Sequence, residues 1–282
     1  MTLAGWLASG AVGLLAGAVS GLVGIGGGAI MVPFLYFFLA HRELSGVPVS
    51  PADQAVIAHA SSLLVIVPIS LRGAWLYNRA RLVEWRAVWR MGLASVIMAV
   101  FGARVAVIVP GQLLKVVFGI FLLVVSARLL IGKPREERYS AEQGAALPTR
   151  RALAGGAAVG FFSALLGVGG GLVAIPVLIY GLHISLRKVS ATSLAVITFT
   201  ALTGVIAYAI SGWADHTSGT ALAYFHLPAC LALAVGALVA VPVGPFIQQR
   251  MPTHALRWLF AAVFLLLGLR IVGGNLLGLL GR

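Results

Sequence analysis

Acid is scarce in this chain. Only 7 of its 282 residues are Asp or Glu, against 20 Lys and Arg, and charged residues together make up 10%. A soluble domain carries about 25%, so this chain lacks the charge to cover a water-facing surface. Cysteine is almost missing too. Cys230 stands alone in an apolar run, which excludes an internal disulfide and a multi-cysteine metal or iron–sulfur centre. The first 41 residues hold no Lys or Arg. The N-terminus therefore lacks the basic region of a signal peptide and is read as part of the mature protein. No GxxxxGK[ST] occurs, which argues against an ATP-driven pump within the chain. No spacing of His, Ser and Asp suggests a hydrolytic triad or a zinc site. The sequence calls for no cofactor and no enzyme chemistry.

What is there is oil. Hydrophobic residues make up 60%, and mean hydropathy is +1.03. Apolar blocks fall at 3–40, 52–71, 87–109, 112–132, 151–182, 189–212, 222–248 and 255–280. Each is long enough for a bilayer helix of about 20 residues, and the runs are apolar all round, unlike the alternating strands of a membrane barrel. The expected class is an all-α polytopic membrane protein. The net charge of +13 sits in short loops between apolar runs, as the positive-inside rule expects. No basic-aromatic stripe of the nucleic-acid kind accompanies it. The partner is the lipid bilayer.

One polar stretch, KPREERYSAEQGAALPTRR at 133–151, divides the chain. It reads as a linker between a first transmembrane repeat (1–132) and a second (152–282). The halves are related. SGLVGIGGGAIMVPFLYFFL (20–39) and SALLGVGGGLVAIPVLIYGL (163–182) share nine identities at an offset of 143, and ASSL (60–63) matches ATSL (191–194). Gly102, Pro110, Lys115 and Arg128 match Gly244, Pro252, Arg257 and Arg270 at an offset of 142. The arginine-rich segment 72–90 and the linker should both be cytoplasmic, as should the loop marked by Arg187 and Lys188. The loop at 213–226, with Asp215 and no Lys or Arg, should face outward, and so should 41–51. Loops 41–51 and 183–188 hold the same place in the repeat, yet fall on opposite sides. The expectation is two inverted-topology repeats, each a glycine-broken helical hairpin of two short legs followed by three transmembrane helices. The rival arrangement has one long helix per glycine block and parallel repeats.

Three consecutive glycines are costly inside a helix, at about 1 kcal/mol each against Ala. Lipid cannot satisfy a broken backbone, so a break at membrane depth belongs where protein or a water-filled cavity surrounds it. Gly26, Gly27 and Gly28, and their copies Gly169, Gly170 and Gly171, are therefore read as turns. Each exposes free N–H groups and the positive end of the next helix to a small anion. The competing role for the glycines is close helix packing. A dinucleotide fingerprint fits Gly24, Gly26 and Ala29 but fails in the second copy at Leu172, and no acidic ribose partner follows. His59, Ser61 and Ser62 in AHASSL, with Ser190, Thr192 and Ser193 in SATSL, are candidates to complete the anion's coordination. The alternative for each hydroxyl is a bond back to its own helix. His59 is the one histidine well inside a predicted span and a candidate for proton coupling. No equivalent of it is expected in the second half, where Lys188 or Val189 stands nearby.

The twin G-x-GGG-x4-P segments, AHASSL and SATSL, and RLVEW (81–85) resemble the TauE/SafE sulfite-exporter family over essentially the whole chain. RLVEW departs from the family's G-x-V-D-W form, with Ala80 and Arg81 near the glycine's place and Glu84 for the acid. The resemblance implies a secondary transporter of sulfur-containing anions such as sulfite, sulfoacetate and other sulfonates, in a bacterial inner membrane. It also implies transport roles for the six glycines, with His59, Ser62 and Ser193. An anion or weak-acid channel, or a carrier of another carboxylate or neutral solute, are the alternatives. Proton coupling and a homo-oligomeric state stay open.

Overall fold

The computed structural model describes residues 1–46, 49, 53–108, 148–214 and 224–280, with isolated positions between 119 and 131. Helices account for nearly all of the described residues. The expected helix at 112–132, and linker residues 133–147, lie largely outside them.

Thr2 accepts from the Gly5 N–H and starts α1 (Leu3–Val23). Gly24, left-handed at φ 82°, stops it, and its N–H donates to the Ser20 carbonyl. The chain reverses through 24–27 into α2 (Gly28–Ala40), then takes one turn as α3 (Arg42–Ser45). That turn returns to the starting end, where the Thr2 hydroxyl donates to the Glu43 carbonyl at 2.9 Å. Two long helices follow, α4 (Asp53–Arg79) and α5 (Trp85–Ile108). The second half repeats the pattern. α6 (Thr149–Leu166) stops at Gly167, and α7 (Gly171–Pro176) runs on as a π turn over Val177–Gly181. Then come α8 (Leu186–Ala214), α9 (Leu227–Ala240), α10 (Val243–Arg250) and α11 (Thr253–Leu280). The apolar block at 222–248 is thus interrupted at Val241 and Pro242.

Among the described residues, five stretches are long and apolar enough to cross a membrane: Leu3–Val23, Asp53–Arg79, Trp85–Ala106, Leu186–Gly212 and Leu227–Arg250. The two legs of each hairpin are unequal rather than similar in length. At 1.5 Å per residue α1 is about 32 Å long and α2 about 20 Å.

The halves interlock. α1 packs along α9, and α6 packs along α5. Small residues allow this: a Cβ on Gly13, Gly17 or Gly21 would strike the backbone of Leu233, Ala237 or Val241 in turn, so the two helices run parallel. Gly156 and Gly160 meet the backbone of Met91 and Ser95 in the same way. α4 and α8 cross antiparallel at the centre, with Gly73 against Leu194 and Gly204 against Leu63.

Candidate functional site: the paired glycine turns

Each glycine of a turn has its own reason. Gly24, Gly26 and Gly27 have φ of 82°, 83° and 82°, and Gly167, Gly169 and Gly170 have 63°, 79° and 81°. Side chains disfavour that region. Gly28 and Gly171 are helical but tightly approached. A Cβ on Gly28 would lie 2.6 Å from the Val168 Cα, and one on Gly171 would lie 2.5 Å from the Ile25 Cα. The turns therefore meet tip to tip, and reciprocally, since Val168 is Ile25 displaced by 143. Gly26 and Gly169 both face the pair Ile66 and Ile197 from the crossing helices. The whole of 24–29 and 167–175 is buried. No side chain caps the N-terminus of α2 or α7, so both present backbone N–H groups at the meeting point.

Of the hydroxyls predicted as ligands, Ser193 and Ser190 hold the first hairpin, while Thr192 and Ser61 join the two halves elsewhere. Ser193 donates to the Gly24 carbonyl at 2.7 Å, and Ser190 beside it donates to the Val23 carbonyl at 3.0 Å. Thr192 accepts from the Glu84 N–H at 3.1 Å, and Ser61 accepts from the His226 N–H at 2.9 Å. These two contacts join one half to the other just before α5 and α9. Lys188 adds an ion pair to Glu84 at 3.2 Å. His59 Nε2 lies 2.6 Å from the Tyr36 hydroxyl. Ser62 is fully buried and its hydroxyl has no hydrogen-bond partner.

His59 does have a counterpart. In the crossing helices the offset is 131, which pairs His59 with Ser190, Ser61 with Thr192, Ser62 with Ser193 and Ile66 with Ile197. The contacts agree: Gly24 packs on Ser190, and Gly167 packs on His59. The same offset exposes residues that sequence reasoning missed. Tyr77 donates to the Gly21 carbonyl at 2.7 Å, and its counterpart Tyr208 donates to the Ala164 carbonyl at 2.9 Å. Ser20 and Ser163, matched at 143, are buried on the first legs without a partner for their hydroxyls.

At the start of α9, His226 Nδ1 accepts from the Ala229 N–H at 3.2 Å, which requires that nitrogen to be unprotonated. Burial lowers the His226 pKa from its ordinary 6.5, in keeping with this role. Among the described residues, no group of three or more His, Cys, Asp or Glu side chains is placed to hold a metal ion.

The sulfite exporter TauE/SafE family matches residues 9–271. A probable membrane transporter protein of Methanocaldococcus jannaschii is 27% identical over 259 residues, covering 92% of each chain. The probable membrane transporter protein YunE of Bacillus subtilis is 26% identical over 283 residues, covering 93% of this chain and 95% of its own. The probable membrane transporter protein MamO of Paramagnetospirillum magneticum is 26% identical over 92% of this chain, which spans 43% of that protein. No solved structure matches.

Proposed function

Because the chain belongs to the sulfite exporter TauE/SafE family, a family of membrane transporters, we propose that it carries a small sulfur-containing anion outward by alternating access. The cargo class is sulfite, sulfoacetate or another organosulfonate. The anion would rest against the N–H groups at the two glycine turns, which part to admit it. The observation that carries this reading is the reciprocal meeting of Gly28 with Val168 and of Gly171 with Ile25. Two uncapped helix N-termini converge there, and such ends favour negative charge. With the inside negative, exit of a monovalent anion gains about 2.3 kcal/mol per 100 mV.

We further propose inverted repeats, with linker 133–151 on the cytoplasmic side of a bacterial inner membrane. Three contacts support inversion over the parallel rival. Thr2 meets Glu43, so the first hairpin begins and ends at one end of the molecule. α4 and α8 run antiparallel. Glu84 and Lys188, which the rival puts on opposite membrane faces, are 3.2 Å apart.

Flux in proteoliposomes for sulfite, sulfoacetate, sulfate, chloride and alanine tests the cargo. Saturable flux of sulfite or sulfoacetate with counterflow is expected. Non-saturating flux would turn the reading to a channel, and flux of alanine alone to a neutral-solute carrier.

A further inference from the structure

One face of α4 carries a groove and two arginines that the transport reading leaves unused, and we infer that it binds an anionic phospholipid from the leaflet at the Arg79 end. The inference does not depend on the cargo.

The face is a stripe. Leu64, Pro68, Leu71 and Trp75 follow one another at four, three and four residues, the spacing that lines up one side of a helix. At its foot stand Arg72 and Arg79, three residues before and four after Trp75. Leu71, Arg72, Trp75 and Arg79 are exposed. Trp75 stands nine residues, two and a half turns, beyond Ile66. The stripe therefore lies opposite the side of α4 that meets the glycine turns. Where it passes Leu64 and Pro68, Leu202 of α8 and Leu231 and Ala234 of α9 complete an apolar groove of about 350 Å³.

The groove is at the right depth for lipid tails. Leu64 is 11 residues from Trp75, about 16 Å along the helix at 1.5 Å per residue. One leaflet is about 15 Å deep, half of a hydrocarbon core of about 30 Å. Tryptophan favours the membrane interface. A lipid with its headgroup beside Trp75 thus brings its chain ends to the groove.

The foot suits a phosphate. The Arg79 guanidinium lies over the Trp75 ring, 4.0 Å from its centre, a contact that steadies a long cationic side chain. Arg72 lies seven residues deeper, about 10 Å at the same rise. Among the described residues neither arginine pairs with a carboxylate. An arginine exposed to lipid at depth is costly unless an anion or water comes to it. Guanidinium N–H groups match phosphate oxygens two at a time. A headgroup of net negative charge meets two unopposed cations here, whereas a zwitterionic one brings its own. The matching stripe on α8, at an offset of 131, has Thr203, Ile206 and Ile210 in place of Arg72, Trp75 and Arg79. A crossing helix of this fold therefore needs no cation on that stripe.

Native mass spectrometry of the full chain in detergent, with phosphatidylglycerol and phosphatidylcholine of identical chains in competition, tests the site. Wild type should retain phosphatidylglycerol in preference. Arg72→Gln and Arg79→Gln should each lower that preference about fivefold, the equivalent of ~1 kcal/mol per basic residue at a membrane surface. Arg250→Gln controls for net charge, since Arg250 lies over the Phe246 ring at 3.6 Å in the same manner but outside the stripe; it should leave the preference unchanged. Ala234→Trp, which fills the groove, should weaken retention of both lipids. No preference in wild type, or a loss in Arg250→Gln equal to that in Arg79→Gln, overturns the inference. A lipid-free dimer that Trp75→Ala dissociates would put a second copy on this face and overturn it too. Inorganic phosphate that displaces the lipid at equal concentration would leave only a phosphate site, with the same result. Sulfur-anion flux plays no part in the readout, so the cargo reading and this site fail separately.

Discussion

At Gly26 and Gly28 the same substitution fails for different reasons. Alanine at Gly26 must hold φ near 83°, a strain of about 1–2 kcal/mol. Alanine at Gly28 keeps an allowed backbone but sets its Cβ 2.6 Å from Val168, so the tips must separate. We expect Gly26→Ala to lower unfolding stability in detergent by that strain. Gly28→Ala and Gly171→Ala should cost transport beyond their cost in stability; wild-type flux in both would show that the tips need not touch. His226 gives a prediction in pH. Its folded pKa lies below the unfolded 6.5, so below about pH 6.5 the unfolded chain binds the extra proton and stability falls as pH falls. Above that pH the contribution is complete. His226→Asn retains a capping side chain and should flatten the acid limb of a thermal-melt profile.

Among helices, α1 on α9 and α6 on α5 depend on missing side chains. Gly17 lies against the Ala237 backbone, whereas Gly10 on the same helix has nothing within 4 Å of a built Cβ. Gly17→Leu should therefore reduce the yield of folded protein and Gly10→Leu should not, as read by size-exclusion profiles. The glycine turns were legible because one motif recurs at a fixed offset and three glycines in a helix have few uses. The pairing of His59 with Ser190 is contained in the ASSL–ATSL match but is easily missed, because the offset slips from 143 to 131 between hairpin and crossing helix. The connection from Ala40 to Asp53 is longer than the one from Gly181 to Leu186. The slip reverses later, where Arg79 to Trp85 is short and Ala214 to Leu227 is long. Tyr77 and Tyr208 stayed hidden for the same reason, and a carbonyl partner leaves no mark in sequence.

Across the molecule the described flanks of the long connections, Glu43 and His226, belong to one end. There Thr2 meets Glu43, and the His226 ring packs 5.5 Å from Phe38. The short ones lie where Glu84 meets Lys188. On the proposed topology, which follows the positive-inside rule, the first end lies outside and the second in the cytoplasm. In a Cys230→Ala background, an impermeant maleimide should reach Glu43→Cys only from outside and Arg81→Cys only from within. Labelling of both from one side would contradict the topology. The central claim is that a sulfur anion passes by way of the glycine turns, and sulfite and sulfoacetate flux in three sets of proteoliposomes tests it most directly. Wild type, Gly170→Leu and Gly10→Leu would be compared at equal amounts of folded, reconstituted protein. Gly170 has φ of 81°, and a Cβ there would lie 2.8 Å from Val159. The account predicts flux in wild type and Gly10→Leu and its loss in Gly170→Leu. Sulfur-anion flux unchanged in Gly170→Leu would contradict it.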